Sequence, residues 1–136
     1  MFGRKLLLGL ILGMTVIGGS TMAKIPEIKQ VKDSSIKLVQ EWDKIFPQSD
    51  KVEHTKIMFK NRYGITLVGD LYVPKNIGNQ KFPAIAVSGP FGAVKEQSSG
   101  LYAQTLAERG FVTLAFDGSY TGESGGYPRN VFHLLK

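Results

Sequence analysis

One stretch, residues 82–117, constrains the fold of this 136-residue chain more than any other. Residues 83–87 form a short, unbroken apolar run, which is typical of a strand covered on both faces, and residues 111–116 are predicted to form a second buried strand. Between them, a helical pattern over 98–109 ends at Gly110, a common helix stop. The helix residues predicted to face the sheet are Leu101, Ala103, Leu106 and Ala107. Because two buried strands joined by a helix must run parallel, with a right-handed crossover, the stretch predicts an α/β fold.

Upstream of this stretch the sequence predicts an antiparallel β-hairpin. Residues 52–60 have the composition of a strand, and residues 65–73 alternate in polarity. Residues 61–64 lie between them as a turn, in which Gly64 is expected to take a positive φ. The hairpin would bury one face, made of Ile65, Leu67, Gly69, Leu71 and Val73, and leave Thr66, Val68, Asp70 and Tyr72 on the other.

The first 23 residues have the layout of a secretory signal peptide. Arg4 and Lys5 precede an apolar run over 6–17, and small residues follow up to Ala23. An uncleaved membrane anchor is the alternative, but this run would span only about 18 Å as a helix, against about 30 Å of hydrocarbon. We therefore predict a signal peptide over 1–23 with cleavage after Ala23, a periplasmic or secreted location, and no stable membrane span after cleavage.

Residues 26–46 are predicted to form an amphipathic helix, with Pro26 in its first turn and Pro47 after its end. Its apolar positions recur at helical spacings and are Ile28, Val31, Leu38, Trp42 and Ile45. A partner-binding or membrane-surface helix is one interpretation. We favour a helix that lies across the domain with Trp42 as its anchor, because acids interrupt its basic face. This helix and a polar linker make up residues 24–50, and the main domain is residues 51–136.

Composition excludes several classes of function. The chain has no cysteine, so disulfides, thiol catalysis and lipid attachment at an N-terminal cysteine are excluded. Its formal charge is +6, or +4 without Arg4 and Lys5, and its lysines are scattered among acids. We predict no nucleic-acid binding, because no compact basic patch carries aromatic stacking partners. Two isolated histidines give no ligand spacing, so we predict no metal, and no cofactor is indicated.

The residues of three segments resemble one known family. Residues 87–97, 100–111 and 115–126 are similar to secreted bacterial α/β-hydrolases of the dienelactone-hydrolase-like group. The resemblance covers residues 50–129 and implies the N-terminal half of an α/β-hydrolase fold. It also implies an esterase, lactonase or peptidase that uses a Ser–Asp–His triad on a small-molecule ester, lactone or peptide.

The resemblance carries two loop features over to this chain. The loop after the first parallel strand supplies a backbone N–H to the oxyanion hole in that family, which implies Phe91 or Gly92 as the donor. Gly89 and Gly92 would let the backbone approach a substrate closely, although many relatives carry His where Gly89 stands. The second feature is the loop that begins at Asp117, a structural corner in which Asp117 is expected to accept backbone N–H groups.

A sequence between Gly122 and Gly126 matches the G-x-S-x-G pattern of a nucleophile elbow, with Ser124 at its centre. An elbow needs a strand that runs straight into the turn and a helix that follows at once. Here the predicted strand ends near Asp117, and residues 125–128 are a poor helix start. We therefore interpret Ser124 as part of a structural loop.

The two histidines do not complete a triad. The order Ser, Asp/Glu, His requires an acid and a histidine placed by later strands. His54 lies on the first predicted strand, where we expect a surface residue, and His133 follows no strand that could place it. The sequence therefore offers no catalytic side chain, and the candidate site consists of the backbone donors Phe91 and Gly92.

These patterns lead to two functional hypotheses. Strand 83–87 lacks the later strand that pairs with its outer side in this fold, which would leave an apolar open edge prone to aggregation. The leading hypothesis is therefore an N-terminal fragment of a secreted hydrolase that is inactive alone. The alternative is a small, non-enzymatic periplasmic binding module that uses the groove beside Phe91. Assembly with a separately encoded C-terminal half is a third, less favoured interpretation.

Overall fold

The structure, a computed structural model, describes residues 31–75, 78 and 81–131. Four strands form one mixed sheet in the order β1-β2-β4-β3. The β1/β2 and β2/β4 pairs are antiparallel, and the β3/β4 pair is parallel. The predicted hairpin and the predicted parallel strand–helix–strand unit are both confirmed. The elements are β1 (Val52–Lys60), β2 (Thr66–Pro74), β3 (Ala84–Val87), α1 (Ser98–Glu108) and β4 (Val112–Phe116).

The core lies between α1 and one face of the sheet. Ala103 and Ala107 of α1 are fully buried against Tyr72 of β2 and Ala115 of β4. The Thr113 hydroxyl donates to the Ala103 carbonyl over 2.7 Å, which ties β4 directly to the helix. These contacts fix α1 over the parallel pair and leave the carboxyl ends of β3 and β4 facing the same way.

The prediction that only one face of β2 is buried is wrong. Val68, Asp70 and Tyr72, predicted for the open face, are all 0% exposed. This face is covered by α1 and by residues 31–50, which we call the N-terminal segment. Trp42 of that segment packs against the core, as predicted for the anchor residue.

The predicted amphipathic helix over 26–46 is wrong in its described part, since residues 31–46 contain no helix. The Asp33 carboxylate accepts hydrogen bonds from its neighbour Ser35 and from the Thr66 hydroxyl, at 3.1 and 2.7 Å. Such side-chain bonds compete with a helix. The Val31 N–H donates to the Met58 carbonyl over 3.1 Å, so the backbone is engaged with β1 instead. The remaining residues, 26–30, and the signal peptide prediction over 1–23 lie outside the described residues.

Helix α1 approaches the sheet through small side chains. A Cβ on Gly100 would lie 2.3 Å from the Lys95 carbonyl oxygen and 3.1 Å from the Phe46 ring, so no larger residue fits there. Leu101, predicted to face the sheet, is instead 45% exposed. The predicted face is therefore wrong at Leu101, whereas Ala103 and Ala107 are confirmed as inward positions.

Strand β3 is the edge of the sheet within the described residues, where it pairs only with β4. Ala84 and Ala86 are exposed, and Ile85 and Val87 are half-buried. The predicted burial of this strand on both faces is therefore not found in the described part of the chain. Among the same residues, no helix is long and apolar enough to cross a membrane.

Candidate functional site

A cavity of about 710 Å³ lies at the carboxyl ends of β3 and β4. Three segments line it: the hairpin turn at 61–65, the loop at 88–93 and the start of the loop at 116–121. Ligands of open α/β sheets bind at this edge, where the loops that follow parallel strands meet. Phe91 and Gly92, the predicted oxyanion-hole donors, are both among the lining residues, and their role as donors stays a prediction.

The loop after β3 is held by its own backbone. The Ala93 N–H donates to the Pro90 carbonyl over 3.0 Å, and Gly92 has a φ of +86°. No hydrogen bond engages the Gly92 N–H among the residues that the structure describes. Phe91 is 65% exposed at the cavity mouth. The loop therefore presents an aromatic ring and at least one backbone donor to the same space.

Asn61 joins the hairpin turn to the loop after β4. Its Oδ1 accepts the N–H groups of Tyr63 and Ile65 at 2.9 and 3.0 Å, and its Nδ2 donates to Ser119 Oγ over 3.0 Å. All four residues line the cavity. The sequence indicated only a turn at this position, and nothing in a single sequence signals the bond to Ser119. Asn61 is therefore a positioning residue for two of the three lining segments.

Asp117 organises the loop that follows β4. It is 1% exposed, and its carboxylate accepts the N–H groups of Lys95 and Glu123 at 2.8 and 3.0 Å. The prediction that Asp117 accepts backbone N–H groups is therefore confirmed. A Cβ on Gly122 would lie 2.2 Å from Asp117 Oδ2, and Gly122 has a φ of +53°. The first glycine of the G-x-S-x-G pattern is thus required by contact with Asp117.

Ser124 lies in a turn and not on an elbow between a strand and a helix. It is 1% exposed, its hydroxyl donates to the Asp117 carbonyl over 2.8 Å, and it accepts the Val68 N–H over 2.9 Å. Strand β4 ends at Phe116, and no helix begins in residues 117–131. The Ser124 hydroxyl therefore fastens the loop to β2. His133, the only histidine near it in sequence, lies outside the described residues.

A buried lysine, Lys95, lies beneath this loop, and no sequence pattern had singled it out. The Lys95 side chain is 0% exposed, and its ammonium contacts Asp117 at 2.9 Å, Glu123 at 2.7 Å and also Glu96. Burial alone would lower the pKa of Lys95. Its bonds to Glu123 and Glu96 and the charge of Asp117 outweigh burial and raise that pKa above its ordinary value. Lys95 is therefore a permanently charged centre that holds the loop.

A second set of ion pairs connects β1 and β2 to the N-terminal segment. Lys44 Nζ lies 3.1 Å from Asp70 Oδ2, and the His54 ring nitrogen lies 2.8 Å from Asp70 Oδ1. The side chains of Lys44 and Asp70 are both 0% exposed. Burial acts to raise the pKa of Asp70, but its bonds to His54 and Lys44 lower it overall. His54, predicted as a strand surface residue, is instead half-buried and paired with Asp70.

Lys56 links the two sets of ion pairs. Three carboxylates, those of Asp43, Glu96 and Glu123, have oxygens within 4.8 Å of one another, as a metal site would require. The Lys56 ammonium lies 2.7 Å from Asp43, 2.8 Å from Glu123 and 3.8 Å from Glu96. Since the ammonium groups of Lys56 and Lys95 already contact these oxygens, the cluster is best explained as an ion-pair network.

Comparisons with known proteins give relatives but no family model that matches the chain. The chain is 75% identical over 96 residues to the uncharacterized protein PA2218 of Pseudomonas aeruginosa and 46% identical over 81 residues to the uncharacterized protein YcjY of Escherichia coli. It is 28% identical over 83 residues to the polyketide transferase claH of Penicillium crustosum. These matches cover 71%, 57% and 61% of the chain and 26%, 26% and 27% of the relatives. The chain thus spans about a quarter of the length of the curated relatives it matches.

Two solved structures share the fold of the described residues. The crystal structure of hypothetical protein PA2218 matches with a TM-score of 0.69 and 72% identity, over 71% of this chain and 30% of that one. The structure of DcsB, a complex with its substrate analogue, matches with a TM-score of 0.51 and 30% identity, over 59% and 26% of the respective chains. The scaffold is therefore one that also occurs in larger proteins, among whose distant relatives is a transferase.

Proposed function

We propose that residues 51–131 form the N-terminal part of an α/β-hydrolase similar to the dienelactone-hydrolase-like group. In its complete form this protein would cleave an ester, lactone or amide by acyl transfer with a Ser–Asp–His triad. The loop at 88–93 would supply an oxyanion-hole N–H. The nucleophile, acid and histidine would come from strands added beyond β3, so the chain alone would be inactive. The signal peptide pattern of residues 1–23 supports a periplasmic or secreted location for it.

The observation that carries this proposal is the position of the Phe91–Gly92 loop. It follows β3 directly, lines the cavity at the carboxyl end of the sheet and lies beside the strand edge that has no partner among the described residues. An oxyanion hole needs backbone donors fixed in advance where negative charge develops. The Gly92 N–H, which makes no hydrogen bond to the described residues, is available for that task.

Two similar proteins add support. The Penicillium crustosum protein is a transferase, and DcsB was solved with a substrate analogue. Scaffolds related to this one therefore perform group transfer in one protein and bind a small molecule in another. Acyl transfer to water, the chemistry proposed here, is one reaction of that general type.

The proposal is tested with a chimera in which the matched residues of this chain replace those of PA2218. The chimera and its parent are assayed with p-nitrophenyl esters of increasing chain length. We expect hydrolysis above the buffer rate that a serine-reactive fluorophosphonate abolishes, and no hydrolysis by the present chain alone. Hydrolysis by the chain alone that Ser124→Ala abolishes, or an inactive parent and chimera, would contradict the proposal.

A pair of glycine variants tests the role of the loop in that chimera. Gly92 and Gly110 have φ values of +86° and +96°, and a Cβ on either would meet nothing within 4 Å. Gly92→Ala and Gly110→Ala therefore introduce similar backbone strain. We expect Gly92→Ala to lower kcat about tenfold or more, because backbone strain would move the N–H, which alanine keeps, out of line with the oxyanion, and Gly110→Ala to leave kcat near the parent value. Equal losses in both variants would assign the effect to stability.

A further inference from the structure

We propose that the cavity at the carboxyl end of the sheet binds an uncharged, aromatic or aryl-aliphatic group, so that the substrates of this protein are neutral aryl or arylalkyl carbonyl compounds. This inference deepens the proposed function, and it rests on that function where it states the class of substrate. The binding preference itself is argued from the cavity alone and can be measured without turnover.

The lining of the cavity is aromatic and uncharged. Its rings come from all three lining segments and are Tyr63, Phe91, Phe116 and Tyr120. Its polar side chains are those of Asn61, Ser88, Ser119 and Thr121, and no lysine, arginine, aspartate, glutamate or histidine is among the described lining residues. An unpaired charge transferred into such a site loses hydration without gaining a partner, so the site favours a neutral ligand.

A second cavity on the same molecule has a charged lining, so an uncharged lining is not common to both cavities. That cavity, about 550 Å³ in volume, lies beside the N-terminal segment and the loop after Gly122. Its lining includes the charged residues Asp33, Lys37, Lys60, Glu123 and Arg129. The buried ion pairs of the protein also lie away from the aromatic cavity, since none of their members lines it. The absence of charged side chains among the described lining residues is therefore specific to the aromatic cavity.

The nearest guanidinium does not supply an anion site. The Arg62 side chain lies over the Tyr63 ring, with its central carbon 4.8 Å from the ring centroid, but Arg62 does not line the cavity and is exposed to solvent. Its charge therefore faces solvent outside the cavity and not a ligand within it. Its stacking on Tyr63 instead favours one position of that ring at the rim.

The volume and the rigidity of the cavity suit a ring system with a short chain. A cavity of about 710 Å³ lies within the range of small-molecule sites, roughly 300 to 1,000 Å³. Asn61 holds Tyr63 and Ser119 in fixed positions, so two of the three lining segments are pre-organised. The Gly92 N–H faces no partner in the described chain, and a ligand carbonyl is the acceptor it would match.

Three probes of equal shape test the charge preference on the full chain. They are methyl p-tolyl ketone, which is neutral and cannot be hydrolysed, p-toluate and p-methylbenzylammonium. Titrations are followed by saturation-transfer difference NMR and by backbone amide shifts. We expect the ketone to bind at least ten times more tightly than either ion and to shift the amides of residues 88–93. Equal or tighter binding of p-toluate or the ammonium, or no binding of any probe, would overturn the inference.

Two variants test whether the ketone binds in the aromatic cavity. Phe91→Ala should weaken ketone binding at least threefold, because aromatic contacts of this kind are lost. Tyr102→Ala is the matched control: Tyr102 is 67% exposed on α1, as Phe91 is 65% exposed, but it does not line the cavity. Equal effects of the two variants would overturn the inference.

Ser88→Arg adds a cation at the exposed rim and should make p-toluate bind more tightly than in the parent chain. An unchanged p-toluate affinity would contradict the proposed cavity. An inactive chimera in the ester assay would overturn the proposed function and leave these binding results as they stand.

Discussion

The hairpin side of the sheet and its β3 side distribute polar and apolar groups in opposite ways. On the hairpin side, Asp70 and Lys44 are buried side by side under the N-terminal segment. On the other side, the apolar strand β3 is partly exposed and ends in a loop whose Phe91 is 65% exposed. A buried ion pair thus lies on the hairpin side, and partly exposed apolar groups lie on the β3 side.

The two sides also differ in whether their buried or apolar groups find partners. Buried charges are tolerated only where each finds a partner, and the hairpin side supplies those partners from within the described chain. An apolar, unpaired strand edge is normally covered or paired in a stable protein. Among the described residues, the buried charges of the hairpin side therefore have partners, whereas the outer edge of β3 has no pairing strand.

Removal of Lys95, in the loop between β3 and α1, should have the largest effect on stability. Lys95→Met leaves Asp117 and Glu123 without their shared cation, and breaking a buried ion pair in this way costs about 3–5 kcal/mol. Urea unfolding followed by circular dichroism measures the loss. Lys51→Met, at an exposed lysine, is the control and should change the free energy of unfolding by less than about 0.5 kcal/mol. A Lys95→Met protein as stable as the control would show that the network contributes nothing.

Acid should weaken the hairpin side through its carboxylates. Burial opposes the shift, but bonds to Lys44 and Lys56 lower the pKa of Asp43 to about 2, and the pKa of Glu123 is also lowered. The unfolded chain then binds more protons than the folded one below about pH 4. Stability is therefore present above that pH and is lost as the pH falls towards 2.

Urea midpoints at a series of pH values measure this acid effect. Asp43→Asn removes one of the titrating carboxylates, so its midpoint should fall less steeply between about pH 4 and 2 than that of the parent chain. A parent midpoint that stays constant down to about pH 2 would contradict the assignment of these carboxylates to the folded network.

Substitution of Asn61, which joins the hairpin turn to the loop after β4, should have a smaller effect on stability. Asn61→Ala removes two hydrogen bonds from backbone N–H groups and one to Ser119. A loss of about 1–3 kcal/mol is expected for partly buried bonds of this kind. Asn61→Asp keeps the acceptor and should recover most of that loss while it weakens the link to Ser119. Equal stability of Asn61→Ala and the parent would refute the positioning role.

The smallest effect on stability is expected at the β3 edge. Ala86 is exposed, so Ala86→Lys should change the free energy of unfolding by about 0.5 kcal/mol or less. The added charge should lower aggregation, because charged side chains block edge-to-edge pairing. Ala115→Lys, on β4 at a site that is 0% exposed, should in contrast unfold the protein. Light scattering at rising concentration and urea unfolding separate the two outcomes, and equal destabilisation would place β3 in the core.

Local patterns were enough to predict the strands, the helix and the parallel unit. The bounds of β1 agree with prediction, and Asp117 accepts backbone N–H groups as expected. The N-terminal segment was predicted wrongly, because its apolar spacing also fits a helix. The hydrogen bonds of Asp33 to Ser35 and Thr66 stabilise a non-helical structure instead. Propensity yields to tertiary contacts in such cases.

The ion-pair network could not be predicted from the sequence. Lys95 and Glu123 are 28 residues apart, and Lys56 and Glu123 are 67 residues apart. Each resembles an ordinary surface charge when read alone, and only the fold shows that they meet. The cavity could be predicted in part, since Phe91 and Gly92 were selected by resemblance. Asn61, which holds its other wall, carried no signal beyond a turn.

Residue-resolved hydrogen exchange of the full chain tests the central claim, that β3 is the edge of the sheet formed by the described residues and lies beside the candidate site. We predict slow exchange for the amides of β2 and β4, which are paired on both sides. The amides of β3 that point away from β4 should exchange at least a hundredfold faster. Protection of every β3 amide to the level of β4 would show that the edge is already covered and would contradict the account.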